Sequence, residues 1–132
     1  MMEPNVESRI SDKLAALYGQ WYGKSPSAAR TYIAGADVVV AVLEETFTPA
    51  EQALVDRGEA DGVREIRRRF RRAMADEFGS IVEQATGRRV RSYVADTDLA
   101  ENVSVEVFLL GASLEDMSGF EDSGELDGSA GS

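Results

Sequence analysis

One stretch, Asp61–Gly87, limits what this chain can fold into more than any other. It reads DGVREIRRRFRRAMADEFGSIVEQATG. Val63, Ile66, Phe70, Met74, Phe78, Ile81, Val82 and Ala85 recur at spacings of three and four, the stripe of one long amphipathic helix. Gly87 stands where such a helix ends on a left-handed residue. A stripe of this length has to be covered, and the rest of the chain reads as a small sheet and a second helix that dock on it. The first half of the helix carries six arginines. Stepping about 100° per residue from Val63, the apolar stripe centres at about 10°. Arg68 and Arg72, at about 140° and 180°, face water, as does Arg69 at about 240°. Glu65 precedes Arg69 by one turn and Asp76 follows Arg72 by one turn, which makes them surface pairs worth about 0.3 to 0.5 kcal/mol each. Arg64 and Arg71 lie on one flank at about 100° and 80°, and Arg67, at about 40°, falls inside the stripe. A guanidinium there must snorkel or be paired. Arg67 is therefore expected to make a buried ion pair or to clamp a carbonyl, ahead of holding a ligand.

Other elements are arranged along the chain on either side of this helix. Val6, Ile10, Leu14, Leu17 and Tyr18 share one helical face behind Asn5, a suitable N-cap. Trp21 and Tyr22 extend that face if the helix continues past Gly19. Gly23-Lys24-Ser25 matches the end of a phosphate-binding loop, but Tyr18 stands where the first glycine of that loop belongs, a helix precedes it, and Pro26 blocks the helix that should come next. It reads as a turn. Ala28–Glu45 is a hairpin of two β-branched runs around Gly35, the second run apolar on both faces and so central in a sheet or covered by a partner subunit. Thr48-Pro49-Ala50-Glu51 is a capping box with proline at the first helical position, and this role accounts for Glu51. A short helix continues to about Arg57. In the next strand, Val90, Ser92 and Val94 alternate with Arg91 and Tyr93. Asp96-Thr97-Asp98 with Glu101 and Asn102 reads as a turn. Val103, Val105, Val107 and Leu109 then alternate with Ser104, Glu106 and Phe108 as a half-buried strand. The order helix, hairpin, short helix, long helix, hairpin predicts an α+β fold: a four-stranded antiparallel sheet with helices packed on one face. Residues 1–110 form one domain. Residues 111–132, rich in Gly and Ser with six carboxylates and no base, are expected to be a disordered acidic tail.

Composition narrows the chemistry. The chain has no cysteine and no histidine, which removes the commonest nucleophile, general base and transition-metal ligands. No catalytic residue, metal site or cofactor site is assigned. No apolar run approaches the roughly 20 residues that span a bilayer, and the acidic, polar start is unlike a signal peptide, so a cytoplasmic location is expected. The net charge of −10 disfavours nucleic-acid binding by the surface as a whole, though not by a local basic patch.

Several segments in order resemble the MpsC-like family. They are Tyr22-Gly23-Lys24-Ser25-Pro26 followed by Ala29-Arg30-Thr31-Tyr32, then a valine-rich strand and Phe47-Thr48-Pro49-Ala50-Glu51. After them come Val63-Arg64-Glu65-Ile66-Arg67-Arg68-Arg69-Phe70, Ile81-Val82-Glu83-Gln84-Ala85-Thr86-Gly87-Arg88-Arg89-Val90 and Val105-Glu106-Val107-Phe108-Leu109. The resemblance covers about residues 6–110. Ser25 replaces a second glycine that the family has in its first turn, which would cost stability if that position were left-handed. The family takes its name from the C component of a bacterial Na⁺-translocating, membrane-potential-generating system, whose transport resides in large membrane subunits and is linked to inorganic-carbon supply. The resemblance implies an accessory or regulatory component that does not itself carry ions.

The expected function is thus non-catalytic: a homodimer that binds protein partners, among them a membrane complex. The alternative is a phosphate-ligand or nucleic-acid binder using the arginine-rich flank. Lys24, Arg64, Arg67 and Arg71 are the candidate partner- or ligand-binding residues. An enzyme is disfavoured, because nothing pairs two carboxylates or sets a base beside a nucleophile.

Overall fold

The computed structural model describes residues 5–115, and over them the expected element order holds. Helix α1 is Val6–Tyr22, strands β1 and β2 are Ala28–Ala34 and Val38–Glu44, and helices α2 and α3 are Pro49–Asp56 and Ala60–Thr86. Strands β3 and β4, Arg88–Asp98 and Val103–Ser113, complete one antiparallel sheet ordered β1-β2-β4-β3. Two helix–hairpin units, α1-β1-β2 and α3-β3-β4, therefore meet at the β2–β4 pair. An approximate two-fold axis perpendicular to the sheet relates them.

Local signals placed the helix ends. Asn5 Oδ1 accepts the Ser8 N–H at 2.7 Å to start α1, which runs through Gly19 and ends on left-handed Gly23. Thr48 and Glu51 make both halves of the capping box of α2. Gly87, at φ 74°, closes α3. Among the described residues the non-glycine positions with positive φ are Glu45 and Asn102, so Ser25 is not strained. Asn102 Oδ1 accepts the N–H groups of Thr46 and Phe47, and so ties the end of the first hairpin to the turn of the second.

Both long helices pack on one face of the sheet. Ile10, Leu14 and Tyr18 of α1 and Phe78 and Val82 of α3 close on Val39, Ala41, Leu43, Phe108 and Leu110, all buried. Fully burying side chains of this kind stabilises by about 1.5 to 3 kcal/mol each, before ordering entropy is counted. The opposite face carries the other parity of each strand. Pairing aligns Tyr32, Val40, Val107 and Val94 in one row across the sheet, and Arg30, Val42, Val105 and Asp96 in the next. Among the described residues no helix covers this face. Tyr32 and Val94 are 52% and 63% exposed there.

The structure departs from the sequence reading in three places. The ladder between β3 and β4 shifts register on both sides of Val90, between Arg88 and Val90 and between Val90 and Ser92. The slip reverses the alternation, so that Val90 and Tyr93 both face the helices while Val94 faces outward. Asp96–Asp98 is strand rather than turn, because it pairs with Val103–Val105. Strand β4 likewise continues through Gly111–Ser113, so the domain extends past 110, and the expected tail from residue 116 onward lies outside the described residues.

Candidate functional site

The chemically capable side chains gather between α3 and the helix-facing side of β4. Arg67 is 1% exposed and uses every donor it has. Its Nε and Nη2 donate to the two oxygens of Glu51 at 2.9 and 2.7 Å, the fork geometry that favours arginine over lysine. Nη2 also donates to the Thr46 carbonyl at 2.7 Å, and Nη1 to the hydroxyls of Thr46 and Ser104 at 2.9 and 3.5 Å. The Tyr22 ring lies 4.3 Å from the guanidinium carbon and that of Phe47 5.4 Å. Glu51 thus serves twice, as the cap of α2 and as counter-ion of Arg67. Burial alone would raise the Glu51 carboxyl pKa, but the Arg67 guanidinium and the Thr48 N–H outweigh it and hold it below the ordinary range.

One turn on, Arg71 is 6% exposed and meets Glu106, which is fully buried. Arg71 Nε and Nη2 lie 3.3 and 3.2 Å from one Glu106 oxygen, and Nη2 also donates to Thr97 Oγ1 at 2.9 Å and Tyr18 Oη at 3.1 Å. Tyr18 donates to that Glu106 oxygen at 2.5 Å and Tyr93 donates to the other. Burial, reinforced by the Glu106 charge, pushes both phenols well above their ordinary pKa, so they stay protonated donors. Burial also works against the Arg71 charge, and the Tyr18 and Glu106 oxygens outweigh it. Thr97, Ser104 and Thr46 hydroxyls join the two ion pairs into one network. Each buried cation has its own carboxylate, so the network is neutral in sum. This is how two arginines can sit inside a helix–sheet interface.

The four candidate residues therefore part company. Arg67 makes the buried pair expected of it. Arg71, expected on the flank, is also buried and paired. Lys24 donates to the Glu45 carbonyl at 2.7 Å and so holds a residue whose backbone is left-handed at φ 56°. Arg64 borders an open groove of about 760 Å³ that it shares with Asp96, Asp98 and Glu101, acidic surroundings that disfavour an anion. The buried line of α3 runs Val63, Arg67, Arg71, Phe78, Val82 and so centres at about 60° rather than 10°. Ile66, counted in the stripe, is 59% exposed. Glu106, Tyr18 and Tyr93 were missed as network members. The signal that could have found them was a carboxylate at a strand position flanked by Ser104 and Phe108, opposite a helix with a surplus of arginines.

Outside the network, Arg68 and Arg72 make no ion pair among the described residues, and Arg72 does not reach Asp76. Together with Arg71 and Tyr93 they border a cleft of about 310 Å³. Among the described residues no three acidic side chains gather as a metal site, and no helix is long and apolar enough to cross a membrane.

Residues 3–112 match the model of the family described as "Na+-translocating membrane potential-generating system (MpsC)". No curated protein and no solved structure matches the chain. The match covers most of the sequence, and the chain belongs to the MpsC family.

Proposed function

Starting from membership of that family, we propose that this protein is a non-catalytic accessory component of a membrane-potential-generating system. It acts on the cytoplasmic side, by protein–protein contact and as a homodimer. One observation carries the reading: the buried charged and phenolic side chains are bonded to one another, whereas large hydrophobic side chains are bare on the open sheet face and on the helix layer. One side is the helix-free sheet face with Tyr32 and Val94. On the other, Trp21 and Ile66 are 47% and 59% exposed, with Trp21 lying 6.2 Å ring to ring from Phe70, one turn after Ile66. Large bare apolar surface on a small domain marks a contact site. Bacterial membranes containing the system's membrane subunits should retain the purified protein, and Ile66→Asp should release it. Absence of retention for the unmodified protein overturns this reading.

A second reading, an anion binder, is favoured by one specific feature, the uncompensated Arg68 and Arg72 beside the 310 Å³ cleft. It requires retention on heparin at low salt that is lost in Arg68→Ala/Arg72→Ala. A protein that passes straight through heparin ends this alternative.

A further inference from the structure

We infer that the helix-free sheet face is the homodimer interface, and that two copies pack face to face about a two-fold axis running parallel to the strands. The inference rests on the protein-binding reading above and names the partner and the register. Two packed sheets stand about 10 Å apart and interdigitate their facing side chains. A two-fold axis lying between them has two simple orientations, and the order β1-β2-β4-β3 makes their consequences different.

With the axis parallel to the strands, the edge strand β1 of one copy lies over the edge strand β3 of the other, and each row across the sheet lies over the same row of its partner. Tyr32 then covers Val94 of the partner copy, because both stand in the row that pairs through Val40 and Val107. These are the two large apolar side chains left most exposed on this face, 52% and 63%. Arg30 meets Asp96 in the same way, because both stand in the row that pairs through Val42 and Val105. The centre of the interface is valine on valine. Each cross-copy contact occurs twice, as a closed two-fold requires.

With the axis perpendicular to the strands, β1 lies over β1 and the rows exchange. Arg30 then falls on Tyr32 and Asp96 falls on Val94 of the partner copy, so neither charge meets an opposite charge across the interface and Asp96 is covered by an apolar group. Both orientations cover the valines, but within these two rows only the first sets charge against opposite charge and Tyr32 against Val94. Arg30 Nε donates to the Tyr32 hydroxyl at 3.2 Å and Nη2 pairs with Glu44 at 2.9 Å, both at the surface with the two charged side chains 47% and 38% exposed, which leaves Nη1 for Asp96 of the partner copy.

Sedimentation velocity over a range of concentrations tests this on the full chain. The protein should be a dimer at micromolar concentration. Arg30→Asp and Asp96→Arg should each weaken the dimer by about tenfold or more, since each places like charges together at two symmetric points. The double reversal in one chain should recover most of that loss. Both positions are exposed, so unchanged circular dichroism separates weakened association from unfolding. Val105→Asp, at the centre, should give a monomer. A protein that stays monomeric at all concentrations overturns the inference, and so does a dimer indifferent to both reversals. A monomer that dimerises only after removal of residues 116–132 assigns the face to that segment and also overturns it. Membrane retention of such a monomer would leave the accessory role standing without this interface.

Discussion

Replacing Arg67 by alanine tests how the interior is held together. The substitution removes five hydrogen bonds and leaves the Glu51 carboxylate, 13% exposed, without its counter-ion. Breaking a buried pair by removing one partner costs about 3 to 5 kcal/mol. Two features move the value within that range. Glu51 keeps the Thr48 N–H and has some access to water, which lowers the cost. The Thr46 carbonyl loses its charged donor, and the rings of Tyr22 and Phe47 lose the guanidinium between them, which raises it. A destabilisation of about 4 kcal/mol is expected, equivalent to a fall in Tm of roughly 10 to 20 °C for a domain of this size. Arg68→Ala, at an exposed position on the same helix, should stay within about 0.5 kcal/mol. Arg67→Lys should fall between them, because it keeps the charge and loses the fork. Thermal and urea melts of the three variants read this directly. Equal, small shifts for Arg67→Ala and Arg68→Ala would mean that the buried pair does not hold the interior.

Three further outcomes come from the same network. Glu106→Gln leaves Arg71 buried without a counter-ion and should cost about 3 to 5 kcal/mol in urea melts, although it preserves side-chain shape. Tyr22→Phe removes a buried hydroxyl that has no hydrogen-bond partner among the described residues while keeping the ring over Arg67, so it should be neutral or stabilising by about 1 kcal/mol. Because the Glu51 carboxyl is held below its ordinary value of 4.5, the stability it contributes is complete above that pH and is lost as the pH falls through its lower folded-state value. Melts between about pH 5 and pH 3 should therefore show a decline that is shallower in Glu51→Gln.

Much of this fold could be read from local chemistry. The caps at Asn5, Thr48 and Gly87 act through groups adjacent in sequence, so their signals survive without tertiary information. The bulge after Val90 does not, because a register slip is decided by the partner strand; alternation alone put Val94 on the same face as Val90. The helix angles identified Arg67 correctly. They misjudged Arg71 because Ile66 counted as core when nothing packs over it. An arginine's burial is decided by whether a carboxylate waits opposite, and Glu106 comes from a strand 35 residues away. The open valine face was legible in part, since the second strand read as apolar on both sides. That the fourth strand's valines join it, while Ser104, Glu106 and Phe108 face the helices, required the sheet order.

If this molecule works through contact surfaces, the first of them shared with its own copy, the two sheets must be found face to face. The chain has no cysteine, so single thiols can be introduced without background. Tyr32→Cys and Val94→Cys proteins, mixed and treated with a bis-maleimide cross-linker spanning about 10 Å, the distance between packed sheets, should yield a covalent heterodimer. Either protein alone should yield little, because like positions then lie on opposite edges of the interface. Cross-linking that is absent from the mixture, or equally strong within each protein alone, would contradict this arrangement.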